Sequence, residues 1–338
     1  MFAPICLCLL LAADAPPALF QVNTVVQLRA AIDQHGPRTI ALAPGTYELT
    51  EPLALRGDNQ VCLLGSGWNT ILRCGGAEVA ISLTDCSFCL VRDLLVVGGA
   101  GARDGLVFRG QSSSNTVDYC RIAEFVESGL RFAGDADKPM SSNVVRDCHL
   151  IDNGGEQLAS DYNNDYMISG CQFGAHQRQP RAGAALRHSS AGNYTGCYHW
   201  GNQNALLLGP GSNFNRLLGN RFEESLREAL VIGSAQPSAG WSGHSSLNII
   251  TGNTFHTNSK AELGKYDTIL AYDAVDTTFT GNQVFSWDSE HYRHRAALNL
   301  ARGCGTWIVR DNILRHHTGP ALLFDPNAGH LVKDNLGG

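Results

Sequence analysis

The phrase Val-Asp-Tyr-Cys120-Arg-Ile returns as Val-Arg-Asp-Cys148-His-Leu, Ile-Ser-Gly-Cys171-Gln-Phe, Tyr-Thr-Gly-Cys197-Tyr-His, Leu-Leu-Gly-Asn220-Arg-Phe, Ile-Thr-Gly-Asn253-Thr-Phe, Phe-Thr-Gly-Asn282-Gln-Val and Val-Arg-Asp-Asn312-Ile-Leu. A further copy starts at Val332 and carries Asn335. The marked residues recur every 23 to 33 positions from Cys120 onward. A period in that range signals a solenoid or propeller, in which each repeat is buried by its neighbours rather than by one central core.

A second phrase follows each first one after about ten residues and alternates apolar and other residues, as a strand requires. Its copies include Gly105-Leu-Val-Phe-Arg-Gly110, Gly129-Leu-Arg-Phe-Ala-Gly134, Gln157-Leu-Ala-Ser-Asp161, Ala185-Leu-Arg-His-Ser189, Ala205-Leu-Leu-Leu-Gly209, Ala229-Leu-Val-Ile-Gly233 and Thr268-Ile-Leu-Ala-Tyr272. Ala297-Leu-Asn-Leu-Ala301 and Ala321-Leu-Leu-Phe-Asp325 complete the series. Each coil therefore carries at least two short strands. Stacking puts like positions about 4.8 Å apart, so the Asn run 220, 253, 282, 312, 335 forms a ladder of amide hydrogen bonds.

With these repeats the chain resembles the right-handed parallel β-helix proteins of the pectate-lyase-like superfamily. The stretches Thr24-Val-Val-Gln-Leu-Arg-Ala-Ala-Ile-Asp33, Thr39-Ile-Ala-Leu-Ala-Pro-Gly-Thr-Tyr47 and Val61-Cys-Leu-Leu-Gly-Ser-Gly67 look like that family's capping helix and first coils. The resemblance implies an all-β, single-domain right-handed parallel β-helix over residues 20–338, closed at its start by a helix over Asn23–Gln34. It also implies action on carbohydrate. Fold does not fix chemistry, however, and the family's Trp-Ile-Asp-His, Asn-Thr-Asp, Gly-His-Gly and Asp-Pro-His-Asp phrases are all absent.

Composition narrows the classes. A net charge of −6 argues against nucleic acid as partner, and no apolar run is long enough to span a membrane. The apolar run Ile5–Ala12 followed by Ala13-Asp14-Ala15 has the form of a signal peptide over residues 1–15, which predicts a secreted or periplasmic protein. Eleven cysteines would then suggest disulfides, but Cys120, Cys148, Cys171 and Cys197 occupy the ladder position later taken by Asn, so buried free thiols are expected. Cys86-Ser-Phe-Cys89 is a lone CxxC without a second pair, and no metal site is assigned.

Because strand side chains alternate, the inward Leu column fixes the outward residues. Leu106, Leu130, Leu158, Leu186, Leu206, Leu230, Ile269, Leu298 and Leu322 are expected inside, in one column. Outward charge then gathers at Arg109, Arg131, Asp161 and Arg187, with Arg187 aligned beside Ala159 and Asp161 beside Ser189. Arginines around a carboxylate suit an acidic sugar, because a guanidinium fork matches a carboxylate with two hydrogen bonds; a plain surface salt-bridge cluster is the alternative. The resemblance implies a polysaccharide lyase that abstracts a proton and β-eliminates, with Arg131 or Arg187 as base, the other arginine as clamp, and Asp161 beside them. It leaves open Ca²⁺ held by Asp135, Asp137, Asn163, Asn164 and Asp165, residues that are also ordinary turn formers.

Two alternatives accompany the lyase. A glycoside hydrolase would pair Asp161 with Asp135, Asp137 or Glu156, whereas a non-catalytic binder would use the apolar outward residues Leu207, Val231 and Leu270. A second candidate region joins Lys265 and Tyr266 in one loop to Glu290, His291, Tyr292, Arg293 and His294 in the next, where Tyr and His are competent acid and base. The connections Gly174–Gly183, His256–Asp267 and Ser286–Arg295 should rise on one side as a groove wall. His188 is expected inside, hydrogen-bonded to Ser160. The expected partner is a polysaccharide containing uronate.

Overall fold

The computed structural model describes residues 17–236 and 243–337. The expected signal peptide, residues 1–15, lies outside them. The chain winds as a right-handed parallel β-helix of about 11 turns with three parallel sheets. Sheet A has 13 strands, from Ala18–Val22 to Leu331–Lys333. Sheet B has 11, from Gly45–Leu49 to Ile313–Leu314, and sheet C has 11, from Leu53–Arg56 to Leu322–Leu323.

The first phrase supplies two of the three strands rather than one. Its opening residues belong to sheet A and its closing residues to sheet B, as in Thr116–Asp118 and Arg121–Ala123. The residue before each ladder position turns the corner at positive φ: Tyr119, Asp147, Gly170, Gly196, Gly219, Gly252, Gly281 and Asp311, with φ from 50 to 68°. Gly and Asp recur there because they reach the left-handed region at the least cost. The ladder itself is as expected. Each Asn amide from Asn220 to Asn312 donates to the next Asn Oδ1, at 3.0, 3.0, 3.1 and 2.9 Å. The four thiols Cys120, Cys148, Cys171 and Cys197 continue the column, fully buried and free.

Two more polar ladders stand at the other corners, where the sequence reading placed none. Between sheets C and A, Asn115 donates to Asn143 at 3.3 Å and Asn143 to Asn163 at 3.0 Å. Between sheets B and C, the side-chain oxygens of Asn153 and Asn258 accept backbone N–H groups of the preceding coil at 3.1 and 3.0 Å. These amides satisfy backbone groups that the tight corners would otherwise leave buried and unpaired. The interior of sheet B is an aromatic stack, with Phe173, His199, Phe222 and Phe255 at centroid spacings of 4.7, 5.0 and 4.8 Å.

The capping helix spans Val25–Ile32, with Thr24 as N-cap accepting from Gln27 N at 3.2 Å, and it buries Leu28, Ala31 and Ile32 on the first coil. Its last carbonyls meet Arg38, a fully buried guanidinium that donates to Ala31 O, Ile32 O and Gly36 O and pairs with Asp58 at 2.9 Å. One side chain thereby closes the helix end and ties it to the stack.

The inward column holds with one correction. The pairing is Leu106, Leu130, Leu158, Ala184, Leu206, Leu230, Ile269, Leu298, Leu322, so Leu186 lies two residues along, beside Ser160 and Leu208. Ala184 and Leu186 share a face, and a period of two cannot distinguish registers that differ by two residues. His188 is likewise displaced. It turns at φ 49° beyond the strand and stacks on Tyr162 at 4.5 Å, while Ser160 meets Ser189 Oγ at 3.3 Å. The core histidine is His199, which meets Tyr194 Oη at 2.6 Å.

Candidate functional site

Sheet C presents its outward face between two sets of connections. Gly174–Gly183, His256–Asp267 and Ser286–Arg295 all lead from sheet B into sheet C and stand on one flank, as the repeat spacing implies. Asp135–Ser142 and the described ends of Ser234–Ser246 lead from sheet C toward sheet A and stand on the other.

The corrected register rearranges the charged cluster. Asp161 pairs laterally with Arg187 on one side and Ala133 on the other, and Arg131 lies between Val107 and Ala159. Arg187 reaches Asp161 Oδ1 at 3.5 Å with one guanidinium nitrogen and Glu156 Oε1 at 2.7 Å with another. Arg181, from the first flank, holds the second oxygen of Glu156 at 3.1 Å and Glu127 at 3.2 Å. Arg131 has no acid partner among the described residues, and its Nε is buried without a hydrogen bond. Together with Ser128 these residues enclose a pocket of about 210 Å³. Arg109 lies exposed at the near end of the same face, lateral to Ala133.

Arg187 also borders a larger hollow of about 400 Å³, floored by Leu207, Val231 and Leu270 and rimmed by Asn204, Arg227, Glu228 and Tyr272. The polar rim belongs to a column not singled out in the sequence reading. In successive coils the residue two before the inward Leu or Ile is Asp104, Ser128, Glu156, Ala182, Asn204, Glu228 and Asp267. Asp267 is nearly fully buried and held by Arg295 at 2.9 and 2.6 Å and by Asn299 at 2.9 Å. An acid or amide just ahead of the second phrase, as in Asp104-Gly-Leu and Glu228-Ala-Leu, was the available signal.

The second candidate region comes together through its backbone. Gly264 N donates to Arg293 O, and Arg295 N to Tyr266 O, both at 2.8 Å. Tyr292 reaches across to Lys260 of the other loop, whose Nζ lies 5.0 Å from its ring centroid, whereas Lys265 pairs with Glu262 at 2.7 Å, His291 with Asp288 at 2.9 Å, and Arg293 with Ser289 O, each within its own loop. His294 is buried beside His317, and burial, with the charges of His317 and His316, pulls it down to about 3. A neutral, enclosed imidazole does not face Tyr266 as acid to its base. The turn residues near the first site do not converge as Ca²⁺ ligands would. Asp135 caps its own loop at Asp137 N and Lys138 N, Asn163 sits in a ladder, and Asn164 accepts from Ser190 N.

A third cluster lies on the outward face of sheet B and has no counterpart in the sequence reading. Glu223 Oε2 accepts from Tyr198 Oη at 2.6 Å and pairs with Arg221 at 2.7 Å and His256 at 3.3 Å. Burial, reinforced by Glu223, pushes the Tyr198 hydroxyl up to about 12, and burial pulls His256 below its ordinary value. No pocket encloses this group among those described, whereas sheet C has two adjoining hollows.

Comparison with known proteins agrees with the fold. A family described as right handed beta helix region matches residues 104–240. No curated protein matches the chain. Among solved structures, the mannuronan C-5 epimerase AlgE6 A-module of Azotobacter vinelandii is 16% identical with a TM-score of 0.69, over 94% of this chain and 96% of that one. The tailspike gp49 of Acinetobacter baumannii bacteriophage Fri1, a capsular polysaccharide depolymerase, is 12% identical with a TM-score of 0.61, over 96% and 61%. The catalytic unit of an α-1,3-glucanase from Streptomyces thermodiastaticus is 14% identical with a TM-score of 0.53, over 95% and 68%. At such identities the likeness is one of architecture. The chain is a right-handed parallel β-helix protein.

Proposed function

We propose that this chain is a secreted or periplasmic carbohydrate-active enzyme that takes an acidic polysaccharide along sheet C and cleaves it by β-elimination over Arg131, Asp161 and Arg187. The observation that carries this reading is Arg131, a groove cation with no acid of its own beside two carboxylates already engaged by other arginines. A uronate carboxylate supplies the missing partner. The guanidinium then stabilises the charge that develops when the proton on the adjoining carbon leaves.

Asp161 is the group placed to accept that proton, with Arg187 holding it in position; both guanidinium ends of Arg187 are engaged by carboxylates, which does not suit it as base. The electron pair of the broken C–H bond forms a carbon–carbon double bond as the C–O bond to the glycosidic oxygen breaks, and the departing oxygen takes up a proton from solvent water, to which Asp161 later returns its own. Return of a proton to the opposite face instead would give epimerisation, the activity of the Azotobacter neighbour. Hydrolysis is less well supported, because the Arg187 guanidinium fills the space between Glu156 and Asp161 where a scissile bond would have to lie.

The test is a screen of uronate polysaccharides for products with ultraviolet-absorbing unsaturated ends. Such ends support the reading. New reducing ends without them point to hydrolysis, and deuterium uptake from heavy water without cleavage points to epimerisation.

A further inference from the structure

The hollow beyond Arg187 differs in chemistry from the charged pocket it adjoins. Its floor is Leu207, Val231 and Leu270, outward residues of three successive coils in lateral register. These span about 10 Å along the helix axis, two strand spacings. A stepped aliphatic floor is a poor seat for a charged or fully hydroxylated sugar and a good one for a methyl group. Gly209 keeps the two hollows in contact, since a β-carbon there would lie 3.0 Å from Arg187 Cγ and press on that side chain.

Glu228 supplies the carboxylate that lines this hollow. The Glu228 side chain is only 10% exposed, and its Oε2 accepts from Asn204 Nδ2 at 3.0 Å with Arg227 Nε at 3.7 Å. Its other oxygen accepts nothing from the described residues. A nearly buried carboxylate with a free oxygen beside an aliphatic floor matches an acetamido group, whose N–H donates to the acid while its methyl lies on the apolar side chains. An O-acetyl group would offer its methyl to the floor but has no N–H to donate to Glu228.

We propose that this hollow binds the N-acetylhexosamine unit of a polysaccharide in which N-acetylhexosamine and uronic acid alternate, with the uronate over Arg131. This rests on the acidic-polysaccharide reading for the neighbouring subsite, but the acetamido site stands on its own residues.

The experiment is calorimetric titration of the full chain with three tetrasaccharides. The first alternates glucuronate and N-acetylglucosamine, the second is galacturonate throughout, and the third is N-acetylglucosamine throughout. The alternating probe should bind at least about tenfold tighter than the galacturonate one, of which methyl burial supplies about fourfold and the hydrogen bond to Glu228 the rest. Leu270→Ser should lower that preference about fourfold and Glu228→Gln should lower it by up to the remaining factor of about 2.5, each while leaving galacturonate affinity unchanged, which also certifies the fold of the variants. Equal affinity for the first two probes, an unchanged ratio in both variants, or no binding of either N-acetylated probe overturns the proposal. Binding of the neutral probe without either acidic one would keep the acetamido site and overturn the uronate reading instead.

Discussion

Replacing Asn253 by Ala tests the corner ladder that ties successive coils together. Asn253 is 1% exposed, and its amide makes four hydrogen bonds. It donates to Leu217 O at 2.9 Å and Asn282 Oδ1 at 3.0 Å, and it accepts from Asn220 N at 2.9 Å and Asn220 Nδ2 at 3.0 Å. Asn282 Oδ1 keeps a donor, Asn253 N at 2.9 Å, but Asn220 loses the acceptor for both its backbone and its side-chain N–H. A buried donor left unpaired costs about 1–3 kcal/mol, so two of them together with the small void come to about 3–4 kcal/mol. Asn335→Ala removes a half-buried end rung and should cost under about 1.5 kcal/mol. Urea unfolding followed by circular dichroism gives both values, with separate transitions accepted as the mark of a solenoid that unfolds in parts. A loss below about 1 kcal/mol for Asn253→Ala, or equal losses for the two variants, would refute the ladder as a stabilising element of the stack.

Other expectations follow from groups already described. Cys120, Cys148, Cys171 and Cys197 should resist a thiol reagent in the native protein and all react after denaturation without reductant, whereas the half-buried Cys62 should react first; bridges among the four would contradict the stacked-thiol corner. Burial pulls His199 down to about 3 from an ordinary value near 6.5, so the unfolded chain binds a proton that the folded one resists. Its share of stability is therefore complete above about pH 6.5 and is lost as the pH falls toward 3, at up to about 1.4 kcal/mol per pH unit. His199→Phe, which keeps the ring stack with Phe173 and Phe222, should flatten the acid limb of a pH–stability curve by one proton; an unchanged slope would show that His199 is charged in the fold. Arg131→Gln should remove binding of acidic oligosaccharides while leaving the unfolding midpoint nearly unchanged, because Arg131 is in no ion pair; retained affinity would remove the uronate from that pocket.

Much of the fold is legible because a solenoid writes each structural position many times. Nine copies of one apolar alternation define the inside of sheet C, and a recurring Asn can only be a stacked rung. Register within a period-two strand is different in kind. Ala184 and Leu186 are equally admissible inward residues, and only the lengths of the flanking corners decide between them, which is why Arg187 moves from Ala159 to Asp161. The polar rim of Glu156, Asn204, Glu228 and Asp267 was present as an acid or amide before the Leu phrase, yet position two before an inward residue normally predicts another inward side chain. At this corner the alternation breaks: Gln157 and Leu158 are both fully buried while Glu156 meets Arg187 on the outward face. The sheet B cluster around Glu223 joins Tyr198, Arg221 and His256 from three coils with no common motif, so no local pattern announced it.

The central claim is that Arg131, Asp161 and Arg187 act together on an acidic sugar, and Arg187→Ala tests it most directly. Arg187 is a third exposed, and Glu156 keeps Arg181 at 3.1 Å when Arg187 is gone, so after solvent screening the stability cost should be about 1 kcal/mol or less. Initial rates of ultraviolet-absorbing product on the substrate found by the uronate screen should nevertheless fall by about 10²–10³, with only partial recovery in Arg187→Lys because a point charge cannot hold both carboxylates. Full turnover by a folded Arg187→Ala protein would contradict the account and place the chemistry elsewhere on the helix.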